Sequence, residues 1–146
     1  MIVEKVSDGR LVITGDDGDM RLPSNQSVTL AGYVDDIKGL IASSTVALAP
    51  LWSGGGTRLK ILEAMAIGTP VVATSKGAEG LDAQTGEHLF VTDEPGEFAE
   101  TIIKLLTDQN LRQRLAANAS RLVREKYDWA VVMPGFLDLL RRVASI

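Results

Sequence analysis

The chain has 146 residues, 45% hydrophobic and 23% charged, which is the make-up of a single globular domain, 1–146, with one ordinary core. A net charge of −4 offers no basic face to a nucleic-acid backbone, and with no cysteine and one histidine there is neither a disulfide nor the donor set of a cysteine- or histidine-based zinc site. No apolar run nears the roughly 20 residues of a membrane span, and MIVEKVSDGR lacks a signal-peptide pattern, so a cytoplasmic, reducing location is the default.

In chain order, residues 2–6 (IVEKV) are a short segment that could be a strand. Residues 11–15 (LVITG) form an apolar run that ends in the turn GDDG, a strand followed by a turn. A second strand is expected over 28–33 (VTLAGY), and Asp35 or Asp36 can cap a short helix over 37–42 with Ile37, Leu40 and Ile41 on one face. The nearly all-apolar run 45–51 (TVALAPL) reads as a strand covered on both faces. A helix then follows in WSGGGTRLKILEAMAIG, with Thr57 as its expected N-cap, Leu59, Leu62 and Ala66 as its buried row, and Gly68 and Pro70 as its stop. Strands follow at 70–74 (PVVAT) and 88–91 (HLFV).

The remaining pattern is helical. Residues 95–106 carry Phe98, Ile102 and Leu105 at helical spacing, and 111–126 carry Leu111, Leu115, Ala119 and Leu122. A last helix is expected over 133–146, with Pro134 as a kink or a first-turn proline. Strands alternating with helices across short loops imply a Rossmann-like parallel sheet with helices on both faces, followed by an α-helical C-terminal tail.

The opening of the third helix is anomalous. A helix N-terminus carries partial positive charge and favours Asp or Glu, yet Arg58 and Lys60 stand there behind Gly54, Gly55 and Gly56. A glycine loop at the carboxyl end of a parallel strand lets backbone N–H groups approach an anion, and the two bases fit if a phosphate lies between them. After the next strand, SKGAEG offers further amides, Gly77 among them, and Lys76 to the same anion. Glu63, one turn after Lys60, can accept hydrogen bonds from sugar hydroxyls. The plainer readings are a surface Lys60–Glu63 ion pair, a flexible glycine turn, a simple turn at GDDG and a packed His88. Trp52 either stacks on a base or belongs to the core. There is no P-loop, no GxGxxG fingerprint and no legible Ser/His/Asp triad or carboxylate dyad, so no catalytic residue is named.

The run GGGTRLKILEAMAIGTPVVAT followed by SKGAEGL resembles the nucleotide-sugar-binding, C-terminal half of the GT-B-fold retaining glycosyltransferases of family four. LVITGDDG, GYVDDI, TVALAPLWSGGG, EHLFV and the terminal helices with KYDW stand in that family's order. The resemblance implies a nucleoside-diphosphate sugar as donor substrate, transfer with retention by front-face displacement, and no metal in this half. It implies ribose contacts for Glu63, while the first glutamate of the family's pair falls at Gly55. The amides around Gly55, Gly56 and Thr57 match the loop against sugar and phosphate. It further implies that the chain begins inside the helix after the family's first strand, lacks that strand and its diphosphate-clamping Arg and Lys, and lacks the N-terminal acceptor domain. Such a fragment is expected to be inactive alone and to self-associate through its last helix, as a homodimer, while the parent sits peripherally on a membrane. A nucleotide-sugar epimerase and a non-catalytic nucleotide- or partner-binding module are the competing readings.

Overall fold

The computed structural model describes residues 2–15 and 26–144. Asp16 to Gly18 of the GDDG turn, and the last two residues of the terminal helix expectation, lie outside the described residues. The elements run α1 (Ile2–Lys5), β1 (Leu11–Thr14), β2 (Val28–Gly32), α2 (Ile37–Ser43), β3 (Ala47–Ala49), α3 (Leu59–Ile67), β4 (Val71–Ala73), α4 (Ser75–Ala78), β5 (Phe90–Val91), α5 (Pro95–Thr107), α6 (Gln109–Lys126) and α7 (Trp129–Ala144).

Among the described residues all strand pairs are parallel, but the sheet comes in two pieces. One holds β1 and β2; the other has the order β3-β4-β5. In the second piece the side chains alternate between faces as a pleat requires. Val71 and Ala73 of β4 join a cluster with Ile61, Met65, Ala119 and Leu122, while Val72 joins one with Ile102, Leu105, Leu111 and Leu115. Helix α3 therefore covers one face and α5 the other, and α6 reaches both. Both faces of β4 are buried, which is why its sequence is continuously apolar rather than alternating.

Local signals place the helix ends. Asp36 Oδ1 accepts from Gly39 N (2.8 Å) to cap α2, and Asp108 Oδ1 accepts from Leu111 N (2.9 Å) to cap α6. Gly68 ends α3 at φ 94°, in the left-handed region that suits glycine. Residues 2–5 are helical, and His88 sits before β5 in a turn where its Nδ1 accepts from Gln84 N (3.1 Å).

Three expectations are corrected. Arg58, not Thr57, stands at the N-cap of α3 and makes no side-chain cap bond. The buried row of α3 is Ile61, Ala64 and Met65, with Leu59 and Ala66 exposed, because α3 turns its 61/64/65 stripe to the sheet and α6. Helix α7 starts four residues before the expected position, so Pro134 lies inside it. Asp128 Oδ1 accepting from Ala130 N (2.8 Å) marks that earlier start.

Candidate functional site

The loop between β3 and α3 is built by glycine geometry. Gly54 (φ 112°) and Gly56 (φ 84°) occupy left-handed backbone that a side chain would strain, so glycine is needed at those two positions for this course. Its consequence is a run of open donors. Among the described residues the N–H groups of Gly54, Gly55, Gly56, Thr57 and Arg58 meet no acceptor, and neither does that of Lys60 at the first turn of α3. Leu59 N bonds back to Thr57 O (2.9 Å), and the regular helix ladder begins with Leu62 N to Arg58 O (3.1 Å). The donors stand at a helix terminus and beyond the carboxyl end of a parallel strand, which is a physical setting for an anion.

The two bases of this loop part company. Arg58 is 6% exposed; its Nη1 donates to Gly55 O (3.3 Å) and its Nη2 to Glu79 Oε2 (3.0 Å). The same carboxylate oxygen accepts from Lys76 Nζ (2.6 Å), so two cations meet on one acid. Lys76, with Arg58 assisting, holds the Glu79 carboxyl below the usual carboxylate range. Arg58 Nε is buried without a partner. The conflict between Arg58 and the helix dipole is thus relieved inside the chain, by a carboxylate 21 positions away. Lys60 is exposed and joins no ion pair with Glu63, so the expected surface pair does not form. Both line a cleft of about 490 Å³ between β1 and β3 that also touches Thr14 and Pro50.

The segment after β4 is a helical turn rather than an open loop. Thr74, fully buried, donates its hydroxyl to Leu51 O and accepts from Gly77 N (3.1 Å). A Cβ on Gly77 would stand 2.5 Å from Ala49 O. Gly77 therefore presents no free amide; it lets α4 lie directly on the end of β3. Ser75 donates its N–H to Asp93 Oδ1 (2.7 Å) and its hydroxyl to Asp93 Oδ2 (2.6 Å), and these bonds hold the Asp93 carboxyl below its ordinary range. Thr74, Glu79 and Asp93 were not singled out from the sequence. The one local signal was Thr74 as a cap three residues before a glycine. Trp52 is 64% exposed beside the glycine loop, so the core alternative for it is excluded. Of the expected site residues, Gly54, Gly55, Gly56, Thr57, Arg58 and Lys60 meet at one loop, Glu63 faces the adjoining cleft, and Gly77 packs instead on the end of β3.

Among the described residues no group of three or more His, Asp or Glu side chains could hold a metal ion, and no helix is long and apolar enough to cross a membrane.

Residues 1–108 match the family described as glycosyl transferases group 1. Phosphatidyl-myo-inositol mannosyltransferase of Mycobacterium leprae is 31% identical over 153 residues, taking in 99% of this chain and 41% of that protein. Its counterpart in Mycobacterium tuberculosis H37Rv is 32% identical over 158 residues, with the same coverage. The chain thus spans about two fifths of the length of these relatives. Among solved structures, Alr3699/HepE of Anabaena in complex with UDP and glucose superposes with a TM-score of 0.81 at 22% identity, over 97% of this chain and 44% of that one. The C-terminal domain of a glycosyl transferase group 1 family protein (LpcC) of Francisella tularensis superposes with a TM-score of 0.63 at 24% identity, over 71% of this chain and 55% of that one. At these identities the superpositions establish the fold.

Proposed function

The chain belongs to the glycosyl transferases group 1 family, and on that premise we propose that it is the donor-binding domain of a glycosyltransferase that moves a sugar from a nucleoside-diphosphate sugar to an acceptor with retention. The observation that carries this reading is the run of unbonded N–H groups from Gly54 to Arg58 at the amino end of α3. Those amides and Lys60 receive the diphosphate, Glu63 accepts from the ribose hydroxyls, and Trp52, which is exposed, stacks on the base. UDP is the first nucleotide to try, because it is bound by the Anabaena protein of the same fold. Positive charge at the loop comes from amides, helix dipole and lysine, so donor binding needs no metal, and chelator leaves the affinity unchanged.

Glu63→Gln tests the assignment. The side chain is exposed on α3, so the fold is kept. A hydrogen bond to a charged group contributes about 1.5–3 kcal/mol, so UDP affinity measured by calorimetry falls roughly tenfold or more. Equal affinities would remove Glu63 from the site. The acceptor belongs to the part of the parent enzyme outside this chain, and proximity of the two substrates provides much of the rate. The isolated chain therefore transfers no sugar, and we place its self-association at α7.

A further inference from the structure

Two cations meet on one oxygen beside the glycine loop. Arg58 Nη2 lies 3.0 Å and Lys76 Nζ 2.6 Å from Glu79 Oε2. Two bases share one acid, so the group keeps an excess of positive charge. The partners differ sharply in burial, with the Arg58 side chain 5% exposed and that of Glu79 57% exposed. Arg58 also holds the loop through Nη1 to Gly55 O (3.3 Å), and its buried Nε has no partner among the described residues.

A guanidinium this deep is costly to leave without an anion, so it needs one in every state of the protein. Glu79 supplies that anion from the surface, at the end of α4 and just before Gly80, whose φ of 81° turns the chain. Its carboxylate serves both cations through a single oxygen and leaves the Nε donor unused. Guanidinium pairs best with carboxylate or phosphate through two parallel bonds, so this pairing is incomplete. Water can take up an acid that is more than half exposed at little cost, as it does for surface ion pairs in general. Arg58 thus requires an anion, while Glu79 does not require Arg58.

We propose that Arg58 and Lys76 form an anion subsite in which Glu79 holds the place of a donor phosphate. When a nucleoside diphosphate binds, a phosphate oxygen takes the position of Glu79 Oε2 and the carboxylate turns into water. This inference rests on the donor-binding reading and adds to it two cations which that reading leaves inside the chain. The subsite adjoins the open amides because Arg58 belongs to both, with its N–H in the run from Gly54 and its guanidinium on Glu79. A phosphate suits the excess positive charge, and it has oxygens to spare for the unused Nε. Glu79 is therefore a built-in competitor: it keeps Arg58 paired in the free protein and lowers the affinity for the donor.

The test is calorimetric titration of the 146-residue chain with UDP, and displacement of bound UDP by pyrophosphate. Glu79→Gln removes the competing charge at nearly constant shape. It is expected to bind UDP and pyrophosphate about threefold or more tighter, although it melts lower at pH 7. Lys76→Met is expected to bind UDP about threefold or more weakly, and to shrink the gain from Glu79→Gln when the two are combined. An ion pair that serves the fold alone predicts no gain. UDP affinity equal or reduced in Glu79→Gln would overturn the proposal and leave the donor-binding reading in place, as would a gain for UDP that pyrophosphate does not share. The Lys76 side chain is 38% exposed, so Lys76→Met keeps the fold, and unaltered UDP affinity in it would overturn the proposal whatever Glu79→Gln does to stability. UDP bound by none of these forms would sink the donor-binding reading and this inference with it.

Discussion

Two bases at one helix start behave differently because, among the described residues, Arg58 has side-chain partners and Lys60 has none. Arg58 spends its guanidinium on Gly55 O and Glu79, nine-tenths buried, whereas Lys60 stands in the open first turn. Arg58→Ala is expected to lower stability by about 1.5–3 kcal/mol, the range for lost hydrogen bonds to charged groups, while Lys60→Ala is expected to raise it by a few tenths by removing a cation from the positive end of the dipole. Chemical denaturation of the two single variants decides this; a neutral Arg58→Ala would mean that the ion pair contributes nothing. Glu79 adds a pH dependence with a definite sign. Its folded-state pKa lies below the ordinary value, so its contribution is fully present above the unfolded value and is lost as pH falls through the folded one. The melting temperature of Glu79→Gln should therefore lie below that of the parent at pH 7, and the gap should close in acid. A gap that stays constant into acid would rule out the carboxylate as its source.

At the scale of elements, the loop is held by contacts between segments distant in sequence. Thr74 ties the end of β4 to Leu51 beyond β3, Asp93 ties β5 to the start of α4, and Gly77 lets α4 sit on the Ala49 carbonyl. Gly77→Ala would force a methyl to 2.5 Å from that backbone oxygen, which no side-chain rotation can relieve. The expected cost is about 1–3 kcal/mol, with a lower melting temperature and a loosened Gly54–Thr57 loop. Weaker UDP binding should accompany it although no ligand contact is removed. Unchanged stability would mean that α4 can back away from β3 without cost.

For the whole molecule, the decisive feature is apolar surface left uncovered. Helix α7 packs on α6 but buries none of its residues, and Phe136, Leu137, Leu139, Leu140 and Val143 are all exposed. A contiguous exposed apolar patch marks an interaction surface or an association hazard. Light scattering over a wide concentration range should show a mass that rises with concentration, and Leu139→Lys with Leu140→Lys should suppress the rise. A strictly monomeric parent chain would refute this, as sugar transfer by the isolated chain would refute its expected inactivity.

The order and type of the main elements were legible in the sequence because they rest on local causes. Helical spacing of Leu111, Leu115, Ala119 and Leu122, a cap at Asp36, the stop at Gly68 and the unbroken apolar run around Val72 each act within a few residues. The glycine loop was legible for the same reason, since GGG before a helix start already implies unusual backbone and open amides. Which base stays free, which glycine is a packing contact, and where the sheet divides were decided by tertiary structure. Arg58 meets Glu79 across 21 positions, Gly77 meets Ala49 across a strand crossover, and the division lies between β1 and β3, which are not neighbours in sequence. Such contacts depend on how elements are brought together in space, and no periodicity within a segment records its distant partner.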